Sequence, residues 1–95
     1  MRKELLFIKS CKENKPEEVL AYLILAKTLK IDINSVDDDG WTAAHLAAME
    51  GHTEVIRILA DTGLVSWNKV DRGGWTPLHL ALWCGHSDVA RIIAK

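Results

Sequence analysis

The chain has 95 residues, 48% of them apolar, with 12 basic and 13 acidic side chains and a net charge of −1. That length suits a single domain. The near-neutral balance lacks the basic excess that would point to nucleic acid or an anionic membrane. Cys11 and Cys84 lie far apart without metal-like spacing. They fit a reduced intracellular protein, cytoplasmic or nuclear, with one disulfide as the alternative. The start, MRKELLFIKSCKE, is interrupted by Glu4 and Lys9 too early for a signal peptide. The longest apolar run, Val19 to Ala26, is too short to span a bilayer. The chain therefore reads as soluble.

Two helices with a polar break are expected over the first 31 residues. Leu5, Leu6, Phe7 and Ile8 supply the apolar content of the first. Lys12 to Pro16 breaks it, and the proline suits a new helix start. Glu17 and Glu18 follow in the first turn, where carboxylates favour the helix dipole, and Lys27 and Lys30 sit near the other end. Val19, Leu20, Leu23, Ile24 and Leu29 then form a broad apolar face at helical spacing. Residues 31–41, IDINSVDDDGW, read as a connector. Its three aspartates and glycine favour a turn, and Ile31 and Ile33 give a short extended signal.

The next stretch, Gly40–His52, reads GWTAAHLAAMEGH, and it returns at Gly74–His86 as GWTPLHLALWCGH. The offset is 34 residues at Gly40/Gly74, Thr42/Thr76, His45/His79 and Gly51/Gly85. Such a fixed period means stacked supersecondary units. Thr42 and Thr76 are expected N-caps, with Pro77 at a first helical position. Alanines 43, 44, 47 and 48 favour helix and close helix approach. Gly51 and Gly85 end these helices. Thr53 and Ser87 are expected to cap the second helices, followed by Glu54 and Asp88. Val55, Ile58 and Leu59 form an apolar stripe repeated by Val89, Ile92 and Ile93. Arg57 and Arg91 lie three residues after Glu54 and Asp88, a spacing that allows surface ion pairs.

This pattern resembles the ankyrin repeat, whose signature is T-P-L-H-x-A after a turn, then G-H and a second helix. The resemblance implies an all-α solenoid of helix-turn-helix units joined by β-turn or hairpin loops, about three repeats with the last truncated. The expected units are a divergent first repeat over 1–36, a full repeat over 37–70 and a truncated repeat over 71–95. In the first, Ser10-Cys11-Lys12-Glu13-Asn14 lies over Ala47-Ala48-Met49-Glu50-Gly51, with Asn standing for the left-handed Gly. The T-P-L-H element is missing there, and Arg2, Lys3, Lys9, Lys12 and Lys15 could supply the polar outer surface of an end repeat. The period exceeds the usual 33 by one residue, placed near Leu64-Val65. Ala43-Ala44 in place of Pro-Leu loses core volume, and Leu82 in place of a second alanine implies wider helix spacing. The last repeat has no polar successor, with only Arg91 and Lys95 to cover its outer side.

The resemblance assigns the four histidines structural roles, in the turn-helix junction for His45 and His79. Their spacing is not that of a zinc site, so no metal or cofactor is expected. Cys84 has no orienting acid or oxyanion element beside it, and an enzyme is not expected. Asp37-Asp38-Asp39 lacks the ligand spacing of a calcium loop and reads as a solvated acidic turn. Trp67 takes the place of an inward valine and is expected in the core. The family's variable positions, on the concave face of turn tips and first helices, fall here on Asp38, Asp39, Trp41, Met49, Glu50, Arg72, Trp75, Trp83 and Cys84. Trp and Met at such places suit a binding surface; the alternative is that the rings pack on each other along the stack. The expected function is non-catalytic recognition of a partner protein, with no nucleic acid and no membrane. The competing reading is an oligomerisation unit whose C-terminal repeat pairs with another copy.

Overall fold

The computed structural model describes residues 2–94, and among them six helices form three helix-turn-helix pairs. The pairs are α1 (Lys3–Lys12) with α2 (Pro16–Leu29), α3 (Ala43–Glu50) with α4 (Thr53–Thr62), and α5 (Pro77–Trp83) with α6 (Ser87–Ala94). First helices stack in the order α1, α3, α5, and second helices in the order α2, α4, α6. Met1 and Lys95, the outer limits of the expected first and third units, lie outside the described residues.

Local chemistry sets the boundaries. Thr42 and Thr76 each accept a hydrogen bond from the backbone N–H three residues on, closing a capping box with the histidine there. Asn14, Gly51 and Gly85 are all left-handed, with φ of 56°, 74° and 79°. Each is followed by the same closing bond, Lys15 N–H to the Ser10 carbonyl, His52 N–H to Ala47, and His86 N–H to Ala81. The first repeat is thus in register with the others although it lacks their motif. Gly51 has a second constraint: a Cβ there would lie 2.6 Å from the His86 ring. Lys30, also left-handed at φ 56°, ends α2 without a glycine.

Several expectations are corrected. Thr53 and Ser87 are the first residues of their helices rather than caps, and the residue before Thr53, His52, makes no side-chain cap bond. The His52 ring turns instead to the Lys12 carbonyl, 2.7 Å away. The extended signal at Ile31 and Ile33 gives no strand; both side chains are buried, and the described residues hold one isolated bridge, Val36 to Thr42. Asp88 and Arg91 pair at 2.6 Å, whereas Glu54 and Arg57 are not paired among the described residues. The face expected on α2 is only partly used. Val19 is buried and Tyr22, Leu23 and Ala26 pack against the core, but Leu20, Ile24, Leu25 and Leu29 are exposed. The helix has neighbours, α1 and α4, on one side alone.

The core is small-residue at its centre and large at its flanks. Ala43, Ala44, Ala47, Ala48 and Ala81 let α3 meet its neighbours closely, while Phe7, Val55, Ile56, Leu59 and Val89 fill the space around them. Phe7 also meets Tyr22 edge-on. Trp67 packs against this core, as expected. Leu82, expected to set the helix spacing of the third repeat, is mostly exposed, and its neighbour Ala81 is fully buried.

Candidate protein-interaction face

The two turn tips are built alike. Asp37 N–H donates to the Trp41 carbonyl and Gly40 N–H to the Asp37 carbonyl, closing the first tip; Asp71, Trp75 and Gly74 repeat this in the second. The Asp37 carboxylate accepts from Asp39 N–H and Trp41 N–H, and the Asp71 carboxylate from Gly73 N–H and Trp75 N–H. These Asx turns occupy the first aspartate of each tip. Asp38 and Asp39 have no such duty and are exposed.

Bonds between tips then hold the repeats in register. The Trp41 indole N–H donates to the Asp71 carboxylate at 3.0 Å, and Arg72 donates to the Asp38 carbonyl at 2.9 Å. Burial pushes the Asp71 carboxyl upward, but the bonds from Trp75, Trp41 and Gly73 outweigh it and hold the group below its ordinary value. His45 completes the set. Its Nε2 lies 2.9 Å from the Trp75 carbonyl, which can only accept, so Nε2 carries the proton and Nδ1 accepts from Thr42. Burial lowers the His45 pKa, and the Trp75 carbonyl and the Asp71 charge offset part of that. His86 Nε2 likewise donates to the Met49 carbonyl of the preceding repeat. His79 shares the threonine bonds of His45 but is exposed, and its Nε2 has no partner among the described residues.

The nine candidate residues divide by what they touch. Trp41 is half-buried, its ring against the core and its N–H committed to the next tip. Met49 is half-buried and packs against the core, and Glu50 is exposed at the end of α3. Arg72 spans the two tips. Trp75 is 37% and Trp83 77% exposed. Their rings meet edge to face at 5.7 Å, and Trp75 also meets His79 edge-on. Cys84 is exposed and follows Trp83, while Cys11 is buried, its thiol pushed up to about 12 by desolvation; neither is in a disulfide. The structure therefore groups Trp75, Trp83 and Cys84 on the third repeat, Met49 and Glu50 on the second, and Asp38, Asp39 and Arg72 at the tips.

Sequence reasoning missed two clasps. The Asn34 amide donates to the Leu64 carbonyl and accepts from Ser66 N–H, joining the connectors across the repeat boundary. Its signal was visible as the Asn34/Asn68 match at the repeat offset. The indole bond from Trp41 to Asp71 had no local signal, because it joins side chains of successive repeats.

The family model for ankyrin repeats, three copies, matches residues 6–95, and the chain belongs to that family. Its members are generally protein–protein interaction modules and are typically non-catalytic. No curated protein matches the chain significantly. None of the described helices is long and apolar enough to cross a membrane.

Proposed function

We propose that this chain is a non-catalytic module that takes a partner protein on the concave face made by its turn tips and first helices. The observation that carries the reading is the Trp75–Trp83 pair. Trp83 leaves three quarters of its surface in water, beside a second aromatic ring. Clustered, exposed aromatic area of this kind is what binding hot spots are made of. Asp38, Asp39, Met49, Glu50, Arg72 and Cys84 are assigned to the same face in this reading, and Trp41 acts mainly by holding the tips in register. The two free thiols, one of them exposed, support a reducing intracellular location, cytoplasm or nucleus.

The test compares proteins retained from a cell extract by the wild-type chain and by Trp83→Ala and Trp75→Ala. A true partner is lost from the variants by about 2 kcal/mol of affinity while their melting temperatures stay near wild type. Partners kept equally by all three chains would place recognition elsewhere.

A second reading rests on a different observation. Leu78, Leu82, Ala90 and Ala94, with Ser87 and Arg91, line a largely apolar groove of about 370 Å³ on the third repeat. Pairing of that end with another copy is the function this groove supports. Light scattering at rising concentration tests it: a dimer that Leu82→Asp dissolves favours it, and a monomer at all concentrations removes it.

A further inference from the structure

The chemistry around the tryptophan pair narrows the partner. We infer that this face takes a basic segment of another protein, one that offers Lys or Arg side chains to the second repeat and an apolar or aromatic anchor to Trp83. The inference rests on the face proposed above.

Charge is distributed unevenly along the stack. Residues 31–63 hold seven carboxylates against a single cation, Arg57, which lies on α4 in the other helix layer. Three of those carboxylates belong to the proposed face: Asp38 and Asp39 at the tip, and Glu50 at the end of α3. All three are exposed, and none is ion-paired among the described residues. Two cations reach this tip, and both spend hydrogen bonds on backbone: Arg72 directs its guanidinium to the Asp38 carbonyl and packs its stem over Gly40, and Arg2 directs its own to the Val36 carbonyl. At the N-terminal end of the same row stand Lys12 and Glu13, the latter paired with Lys15. The row thus runs from mixed charge through an anionic centre to aromatic rings.

An anionic partner lying along this row would meet three exposed, unpaired carboxylates at its middle, offset only in part by Arg72 and Arg2 at the tip. A cationic one gains twice. Its charges sit against the three carboxylates, and one of them, or a neighbouring apolar side chain, can lie on the open face of Trp83, whose ring quadrupole attracts cations. First helices of adjacent repeats are about 8–10 Å apart, and α5 is about 10 Å long. A segment of about six extended residues reaches from the tip carboxylates to Trp83.

The probe is a displayed library of random peptides about twelve residues long, selected against the full chain and followed by tryptophan fluorescence with the synthetic winners. Winners are expected to carry two or more Lys or Arg beside an aromatic or large aliphatic residue. Their affinity is expected to fall about tenfold between about 0.05 and 0.5 M salt. The triple variant Asp38→Asn, Asp39→Asn, Glu50→Gln, with its melting temperature checked, is expected to bind about tenfold more weakly at low salt. Neutral or acidic winners that need Trp83 but ignore salt and the triple variant would overturn the basic segment and leave the face standing. Winners indifferent to Trp83→Ala and Trp75→Ala would overturn the face and the inference with it, as would a library that yields no binder.

Discussion

At His45 both ring nitrogens are committed, one to Thr42 and one to the Trp75 carbonyl of the next repeat, and the side chain is fully buried. Its counterpart His79 has the same threonine bonds and no second-side acceptor among the described residues. His45→Ala is therefore expected to lower the unfolding free energy by about 2 kcal/mol, because it also leaves a carbonyl unpaired; His79→Ala is expected to cost less than half of that. Urea titration of the two variants measures the difference, and equal losses would mean that the inter-repeat bond contributes nothing. The depressed His45 pKa gives the sign of the pH effect. The unfolded state takes up a proton near its ordinary pKa, about 6.5, before the folded state does. Stability is thus fully present above that value and declines as pH falls from there toward the lower folded pKa. His45→Gln is expected to remove this contribution to the slope. Asp71 acts in a more acidic window, its contribution present above the ordinary carboxylate value and lost as pH falls through its lower folded value.

The helices differ in how many neighbours they have. α4 lies between α2 and α6, and α3 between α1 and α5, whereas α6 has α4 and α5 and nothing beyond them among the described residues. It is also short, eight residues from Ser87 to Ala94, and an isolated helix of that length is unstable in water. Val89 and Ala90 are buried and Ile92 and Ile93 pack against the core, so its stability comes from one side. Hydrogen exchange is expected to find the amides of 89–94 the least protected among the helices. Protection that rises with protein concentration would mean that another chain covers the outer side, and uniform protection in a proven monomer would sink the prediction. α2 shows the same one-sidedness in its side chains, with Ile24 78% exposed where periodicity alone gave it a place on an apolar face.

Across the whole molecule the stack is close to one-dimensional. Each helix pair meets only the pairs beside it, so stability is a sum over repeats and their interfaces. The central pair is covered on one side by Phe7, Ile8 and Cys11 of α1 and by Val19 of α2. Deleting residues 1–29 would expose that side of α3 and α4. The remainder is expected to lose its helical circular dichroism at room temperature; a truncated chain that melts cooperatively would show that two repeats suffice. The same geometry sets how the candidate face works. Trp41–Asp71 and Arg72–Asp38 tie successive tips together and Asn34–Leu64 ties the connectors; on the proposed reading, a surface ordered in advance loses less entropy on binding.

Much of this was legible in the chain because it is local. Thr42 and Thr76 cap through side-chain bonds three residues long, Pro77 fits a first helical position, and Gly51 and Gly85 turn the chain left-handed where the helices end. The 34-residue spacing carried the stacking of the units, and Asn14 marked the degenerate repeat through its left-handed backbone. What the tertiary structure decided is which copy of each repeated residue has a neighbour. Trp41 and Trp75 occupy the same motif position, yet the indole N–H of the first is bonded to the next tip, whereas the ring of the second is 37% exposed and packs on Trp83 and His79 within its own repeat. His45 and His79 differ in the same way, as do Ala48, fully buried, and Leu82, mostly exposed. Burial and hydrogen-bond satisfaction depend on what lies across the stack, and a side chain's own sequence window does not contain its neighbour on the next repeat.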